Sequence, residues 1–245
     1  MRARAVLRAE ARDGCTVLEE LRAAAPLGLY PSPGPAPGWA QVWLVGSAGG
    51  PLGGDDLELV VEVGDGAALA VGSVAASVAL PGPAPSRLVV RAAVGPGASL
   101  VWAPEPLVVT ARADHAVDVL LEVAGTAHLW WRDELVLGRA SEPPGRCTLR
   151  QRADLGGGPW ARHDLTIGAP GWDGGAVVGG HRAVGSVLRT SACAAPRACA
   201  AVADLQPAAG GTLTVALAPD RPTLEDLLPC PPSQRSCDAA SRVDA

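Results

Sequence analysis

Apolar and charged residues alternate along residues 56–63. Leu57, Leu59, Val61 and Val63 fall on one side, with Asp56, Glu58, Val60 and Glu62 on the other. Side chains of a strand point to alternate faces, so a period of two predicts a half-buried β-strand. Gly64-Asp65-Gly66 follows, residues that tolerate positive φ, and turns the chain sharply into a second strand, Ala67–Val71. The unit then recurs. VEVGDGAALAV (Val61–Val71) returns as AAVGPGASLVW (Ala92–Trp102) and as LEVAGTAHLWW (Leu121–Trp131). Each copy is strand, tight turn, then Ala-x-Leu entering the next strand, at a period of roughly thirty residues, within the range of solenoids and stacked arrays. Three copies predict repeated hairpins layered on one another, with terminal segments closing the ends. A plain β-sandwich would give similar hairpins.

The flanking chain reads mostly as strands. Arg2–Arg12 alternates alanine or leucine with charge, Thr16–Leu21 is a further strand, and proline-rich Pro26–Gly38 is expected to be loop. Trp39–Val45 leads into the glycine loop Gly49-Gly50-Pro51-Leu52-Gly53-Gly54-Asp55. That loop lacks the Lys-Ser/Thr ending of a P-loop and opens a strand rather than a helix, which excludes phosphate cradling of that kind. Pro104 and Pro106 must mark an edge or bulge, since proline donates no ladder hydrogen bond. Cys147–Arg152, Arg162–Ile167, Arg182–Arg189 and Thr212–Leu217 are weaker strands, and alanine-rich Ala192–Leu205 is expected to be helical. Thr223 is expected to cap a short helix, Leu224–Leu228, stopped by Pro229. The predicted fold is therefore mainly β, stacked hairpins in a β-helix or solenoid-like layered arrangement, with one or two short C-terminal helices. Residues 1–229 form a single domain in this reading, and residues 230–245 a disordered tail.

Composition changes this picture in three respects. The chain has 7 Trp, 1 Tyr and no Phe, so Val, Leu, Ala and Trp must fill the core. A net charge of -5 argues against nucleic acid as a partner. The charged N-terminus MRARAVLRAEARDG is not a secretory signal, and the uncharged run between Asp65 and Arg87 is broken by prolines and unsuited to crossing a membrane. A cytoplasmic protein with free thiols is expected, because Cys193 and Cys199, like Cys230 and Cys237, lack the close spacing of structural zinc sites.

No GxSxG elbow, HExxH or paired histidine at helical spacing is present, and His115, His128, His163 and His181 are scattered. The carboxylates stand in more telling places. Asp55 ends the glycine loop, Glu105 lies between two prolines, and Asp133 and Glu134 follow a Trp pair. Carboxylate oxygen and imidazole suit a divalent metal held weakly, whereas hydrogen bonding to loop amides would explain the same carboxylates structurally. Trp102, Trp130 and Trp131 are core or interface anchors by their size.

The glycine pairs ending in Asp55, the VEVGDGA strand, LVWAPEPLVV from Leu100, LWWRDELVLGR from Leu129 and GGHRAVGSVL from Gly179 occur in an order that resembles the urease accessory protein UreD (UreH) family. The resemblance covers about Val42–Leu188. It implies a mainly β, non-catalytic maturation scaffold. Such a protein would bind the accessory protein UreF, through it the GTPase UreG, and apo-urease directly. It would also pass nickel along an internal tunnel, with no tightly bound cofactor. Gly49, Gly50, Gly53 and Gly54 are then the family loop. Asp55, Glu105, Asp133, Glu134 and His181 are candidate nickel-path residues, and Trp102, Trp130, Trp131, Arg139 and Arg182 candidate partner contacts. The sequence departs from the family where Gly72–Ala79 replaces a polar TTQ…TK run, with Val74 and Val78 in place of Gln and Lys. Asp133 aligns with a Glu that commonly follows the family Trp. The competing readings are a carbohydrate-binding β-solenoid, which predicts exposed aromatic rows, and a β-helix hydrolase, which predicts Asp in register. Asp55, Asp114 and Asp133 keep no register.

Overall fold

A computed structural model describes residues 1–232. In chain order the strands are β1 (Arg2–Arg12), β2 (Cys15–Arg22), β3 (Leu27–Pro33), β4 (Ala40–Gly46), β5 (Asp56–Val63), β6 (Ala68–Ser73), β7 (Ser77–Ala79), β8 (Ser86–Val94) and β9 (Ser99–Ala103). They continue as β10 (Leu107–Val109), β11 (Asp114–Val123), β12 (His128–Leu137), β13 (Arg146–Leu155), β14 (Gly158–Ile167), β15 (Ala183–Arg189), β16 (Val202–Leu205) and β17 (Thr212–Ala218). One short helix, α1 (Arg221–Leu227), follows.

Two sheets face one another. The first has the order β14-β13-β11-β8-β5-β1-β2, and the second β16-β17-β15-β12-β9-β6-β4-β3. The repeat seen in the sequence is the repeat of the structure. Val61, Ala92 and Leu121 stand side by side in the parallel ladder β5-β8-β11. Val71, Trp102 and Trp131 stand side by side in β6-β9-β12. Each turn closes with the same backbone bond, Ala67 to Gly64, Ala98 to Gly95 and Ala127 to Ala124, at 2.9–3.1 Å. The strands flanking a turn pair with their counterparts in neighbouring repeats, so each turn is an arch from one sheet to the other. The stacking is that of a β-solenoid, with the antiparallel pairs β1–β2, β3–β4 and β13–β14 flanking the repeats.

The alternation in residues 56–63 explains why the sheets face. Leu57, Leu59, Val61 and Val63 are all buried, and with Leu69, Leu100, Leu121, Leu129 and Trp131 they fill the space between sheets. Each fully buried aliphatic chain contributes about 1.5–3 kcal/mol relative to exposure. The opposite face of the first sheet carries carboxylates that straddle strands. Glu58 meets Arg4 at 2.8 Å and Arg91 at 3.0 Å, and Asp118 meets Arg87 at 2.7 Å and Arg150 at 3.2 Å. The outer face of the second sheet is apolar instead and lies under α1, where Leu224 and Leu228 pack against Ala183, Val187 and Ala216.

Three local expectations are corrected. Pro26–Gly38 contains strand β3, which lies at a sheet edge where Pro31 and Pro33 need donate nothing. Ala192–Leu205 is not helical, because its last residues pair with β17 as β16 and the rest is irregular. Helix α1 begins at Arg221 rather than Leu224, and its cap is Asp220, whose Oδ1 accepts from the Thr223 amide at 2.9 Å. Beyond Pro232 the expected tail lies outside the described residues.

The glycine loop is a spacer between coils. The Gly53 amide donates to Leu80 O at 3.0 Å, and a Cβ on Gly53 would overlap the backbone of Gly82. Gly49 has open space around it. Gly53→Ala should therefore cost about 1–3 kcal/mol as an overpacked site, lowering the melting midpoint by several degrees at roughly 2–4 °C per kcal/mol. Gly49→Ala should leave it unchanged. Thermal solubility profiles of the tagged chain in lysate compare the two, and equal midpoints would refute the spacer role.

Candidate functional site

Proline creates the site. Strand β9 ends at Ala103, Pro104-Glu105-Pro106 leaves the ladder, and pairing to β12 resumes only with β10. One coil earlier, β6 ends at Ser73 and β7 begins at Ser77. Strand β12 runs unbroken through this gap, held on its other side by β15. Arg132, Asp133 and Glu134 therefore sit where the second sheet is split. Behind the split lies a cavity of about 390 Å³ between the sheets. Its walls include Gly49, Gly50, Val74, Val78, Trp102, Glu105, His115, Trp131, Asp133 and Glu134.

Asp133 is the inward-facing carboxylate. The Trp131 Nε1–H donates to its Oδ2 at 2.8 Å and Gln151 Nε2 donates to the same oxygen at 3.2 Å. No protein donor among the described residues reaches Oδ1. Burial in the low-dielectric interior pushes the Asp133 carboxyl up to about 7; the Trp131 bond opposes this and Glu134 adds to it. Trp131 is placed by a stack on Trp102, with centroids 4.5 Å apart and planes at 4°. The continuous parallel register puts both rings in one row.

Glu134 points to the other face of β12. Its Oε1 lies 3.0 Å from Arg132 Nε and its Oε2 lies 3.6 Å from Arg221 Nε. These are charge contacts without hydrogen-bond geometry. Burial raises the Glu134 carboxyl, and the two arginines counter that. Arg221, the first residue of α1, also reaches Glu105 Oε2 at 3.1 Å, so one guanidinium ties two carboxylates together at the split. Arg132 lies over the Trp130 ring, 5.8 Å from its centroid.

Of the residues singled out in the sequence, Glu105, Asp133 and Glu134 meet here. Asp55 stands apart and is fully engaged. Its Oδ1 accepts from the Met1 α-ammonium at 2.7 Å and its Oδ2 from the Leu52 amide at 2.9 Å. Burial alone would raise its carboxyl, but these bonds prevail and hold it below the usual range. His181 is in a loop away from the cavity, its Nδ1 2.7 Å from Val178 O. Arg182 donates to the Arg139 and Glu142 carbonyls, both at 3.0 Å, and Arg139 pairs with Glu142 at 2.9 Å, so these arginines brace one exposed corner. Gly49 and Gly50 line the cavity, while Gly53 and Gly54 belong to the contact with the next coil. Trp102, Trp130 and Trp131 are 4%, 3% and 0% exposed. They are core residues in this chain, the first of the two roles their size suggests. Sequence reasoning missed His115, Gln151 and Arg221. For His115 a signal existed, since it heads the inward alternation His115, Val117, Val119, Leu121.

Among the described residues no three His, Cys, Asp or Glu side chains converge as a metal-ligand set, and no helix is long and apolar enough to cross a membrane. Fold and site together define a β-solenoid scaffold built around an internal, carboxylate-bearing cavity. A family profile described as UreD urease accessory protein matches residues 1–227. A protein of Frankia alni named urease accessory protein UreD is 45% identical over 222 residues, covering 80% of this chain and 74% of that one. Its namesake in Streptomyces coelicolor is 41% identical over 237 residues, covering 92% of each. A third relative, urease accessory protein UreD 3 of Streptomyces griseus, is 45% identical over 197 residues. The chain belongs to the UreD family of urease accessory proteins.

The raised Asp133 carboxyl carries a pH signature. A carboxyl ordinarily near 3.9 in the unfolded chain and near 7 in the folded one leaves the folded state with more protons bound between those values. Stability then falls as pH rises through that window and levels above it. Asp133→Asn keeps an acceptor for Trp131 and Gln151 but cannot ionise. Its thermal midpoint should fall less than that of the wild type between pH 5 and pH 8. Parallel profiles would show that Asp133 is not held protonated by its surroundings.

Proposed function

We propose that this chain is a non-catalytic scaffold for urease maturation and that its inter-sheet cavity passes nickel, as cargo, toward the urease active site. The observation that carries this reading is the split in the second sheet, which opens onto a cavity walled by Asp133, Glu134 and Glu105. A cation in transit needs donors that hold it weakly and release it. Isolated carboxylates backed by water do so, whereas a closed set of protein ligands would retain the metal. Asp133 Oδ1, which no protein donor among the described residues reaches, is the oxygen best placed for this role. Asp55 belongs to the framework rather than to the path, since both its oxygens are already bonded.

The same reading gives the partners. A UreF-like accessory protein binds this chain, the GTPase UreG joins through it, and apo-urease receives the nickel, all in the cytoplasm. Tyr30, Leu52 and Val74 are large apolar side chains 45–61% exposed, and exposed apolar surface favours non-specific association until a partner covers it.

Two outcomes are expected. Expressed alone, the chain should be largely insoluble, and co-expression with the UreF-like partner should bring both into the soluble fraction as one complex. A well-behaved monomer that ignores this partner in pull-downs would count against the scaffold reading. In cells carrying the urease genes, Asp133→Asn should leave that complex intact while urease nickel content and activity fall several-fold together. Asp55→Asn should instead lower the thermal midpoint and the amount of soluble chain. Normal nickel loading with Asp133→Asn would sink the path.

A further inference from the structure

The cavity between the sheets has largely aliphatic walls. Leu44, Leu57, Leu59, Leu88, Val90 and Leu107 line it, and the stacked Trp102 and Trp131 add aromatic surface. Its rim is apolar as well, with Ala48, Val74, Ala75 and Ala76 exposed. Most polar side chains on the wall are engaged or sealed off. Ser73 Oγ donates to the Ala75 carbonyl at 2.9 Å and accepts from the Glu105 amide at 2.8 Å, while the Glu105 carboxylate pairs with Arg221. Both Glu134 oxygens and His115 Nε2 are enclosed by the packing, and Ser77 stands at the exposed rim. Asp133 is different. Its side chain lies between the sheets yet is only partly buried, so it faces the open space. Its Oδ1 has no donor among the described residues and is not one of the enclosed atoms. One accessible carboxyl oxygen thus remains deep in a hydrocarbon wall.

Apolar walls with one placed polar group are the usual make-up of a small-molecule site. Water in such a space finds few partners, and an apolar group that displaces it gains affinity. We propose that the cavity binds a neutral amphiphile, an unbranched aliphatic chain ending in a hydroxyl or primary amide, with its head hydrogen-bonded to Asp133 Oδ1 and its tail along the leucine wall. The proposal goes beyond the nickel reading and does not depend on it. Size follows from volume. A dry cavity of roughly 150 Å³ takes one benzene ring, so about 390 Å³ takes roughly ten to fifteen heavy atoms by the same scaling. The head must be uncharged, because an ion would be stripped of water with only one free polar atom to receive it. A hydroxyl both donates and accepts, so it suits Asp133 on either side of a carboxyl pKa of about 7. A carboxylate head suits neither form as well, since ionised Asp133 repels it.

Displacement of the neutral fluorophore 1-aminoanthracene measures the site. The full chain is used in soluble form, with its UreF-like partner or as a soluble fusion, at pH 8. The wild type should bind the fluorophore saturably. The isomers 1-nonanol and 1-methoxyoctane should both displace it, the alcohol at about tenfold lower concentration, as expected of one hydrogen bond to a charged acceptor. Nonanoate should displace it more weakly than either. Asp133→Leu should retain the fluorophore and bring the two isomers to equal affinity. Ala76→Trp, at the exposed rim, and Val78→Phe, on the half-buried wall, should each weaken the fluorophore several-fold, which separates the cavity from the exposed apolar surface. Absence of saturable binding in the wild type would overturn the proposal, as would equal affinity of the two isomers there. Binding undiminished in both narrowed variants would also overturn it. The wild-type isomers and the rim variant decide the matter even if Asp133→Leu does not accumulate. No arm reads nickel, so failure of the nickel path leaves this site standing, and failure here leaves the path.

Discussion

The parallel ladder that holds β5, β8 and β11 in one register is the constraint on which the rest depends. It sets Val61 beside Ala92 and Leu121, and the arches then carry the same register into the opposite sheet. A one-residue slip would turn every inward Leu and Val of a strand to the outside. It would also bring Trp102 and Trp131 out of line, and with them the indole that fixes Asp133. The cavity is therefore a by-product of a register specified elsewhere. Its carboxylate geometry is only as reliable as the apolar alternation that enforces the stacking.

How far the sequence reveals the molecule follows from the range of each interaction. The repeat and its turns were legible because turn residues and alternation are local, and because three copies carry the same pattern, but the turns read as hairpins, whereas each strand pairs with its counterpart in the next repeat and the turn becomes an arch between sheets. Edge strand β3 was not, since proline content says loop unless it is known that no neighbour demands those amides. Alanine-rich residues 192–205 read as helix by propensity, but pairing with β17 overrides propensity at its end. The split at Pro104–Pro106 was visible as an interruption. That it lines up with the gap after Ser73 and leaves Asp133 and Glu134 beside a cavity depends on the stacking of coils. Ser86 and His115 show the same limit. They are twenty-nine residues apart, and only the β8–β11 register makes them partners.

The two faces of the molecule handle charge differently. On the first sheet, half-buried Glu58 and largely buried Asp118 each bridge exposed arginines of neighbouring strands, and the arginines keep a broad sheet face wetted. At the split, Glu134 and Arg132 are withdrawn from solvent, where desolvation is severe and a lost partner is far more costly. Charges kept in such a place at a net disadvantage to stability are a reason to look for function there rather than in the exposed mosaic.

Arg221 has a further consequence because it belongs to two structures at once. It is the first residue of α1, which packs on the second sheet where Gly185 leaves room for Leu224 and Leu228. It is also a counter-charge to Glu105 and Glu134. Undocking the helix withdraws positive charge from a buried carboxylate, and protonating that carboxylate loosens the hold on the helix. Helix docking and proton occupancy are thus coupled equilibria, and by reciprocity each biases the other by the same factor.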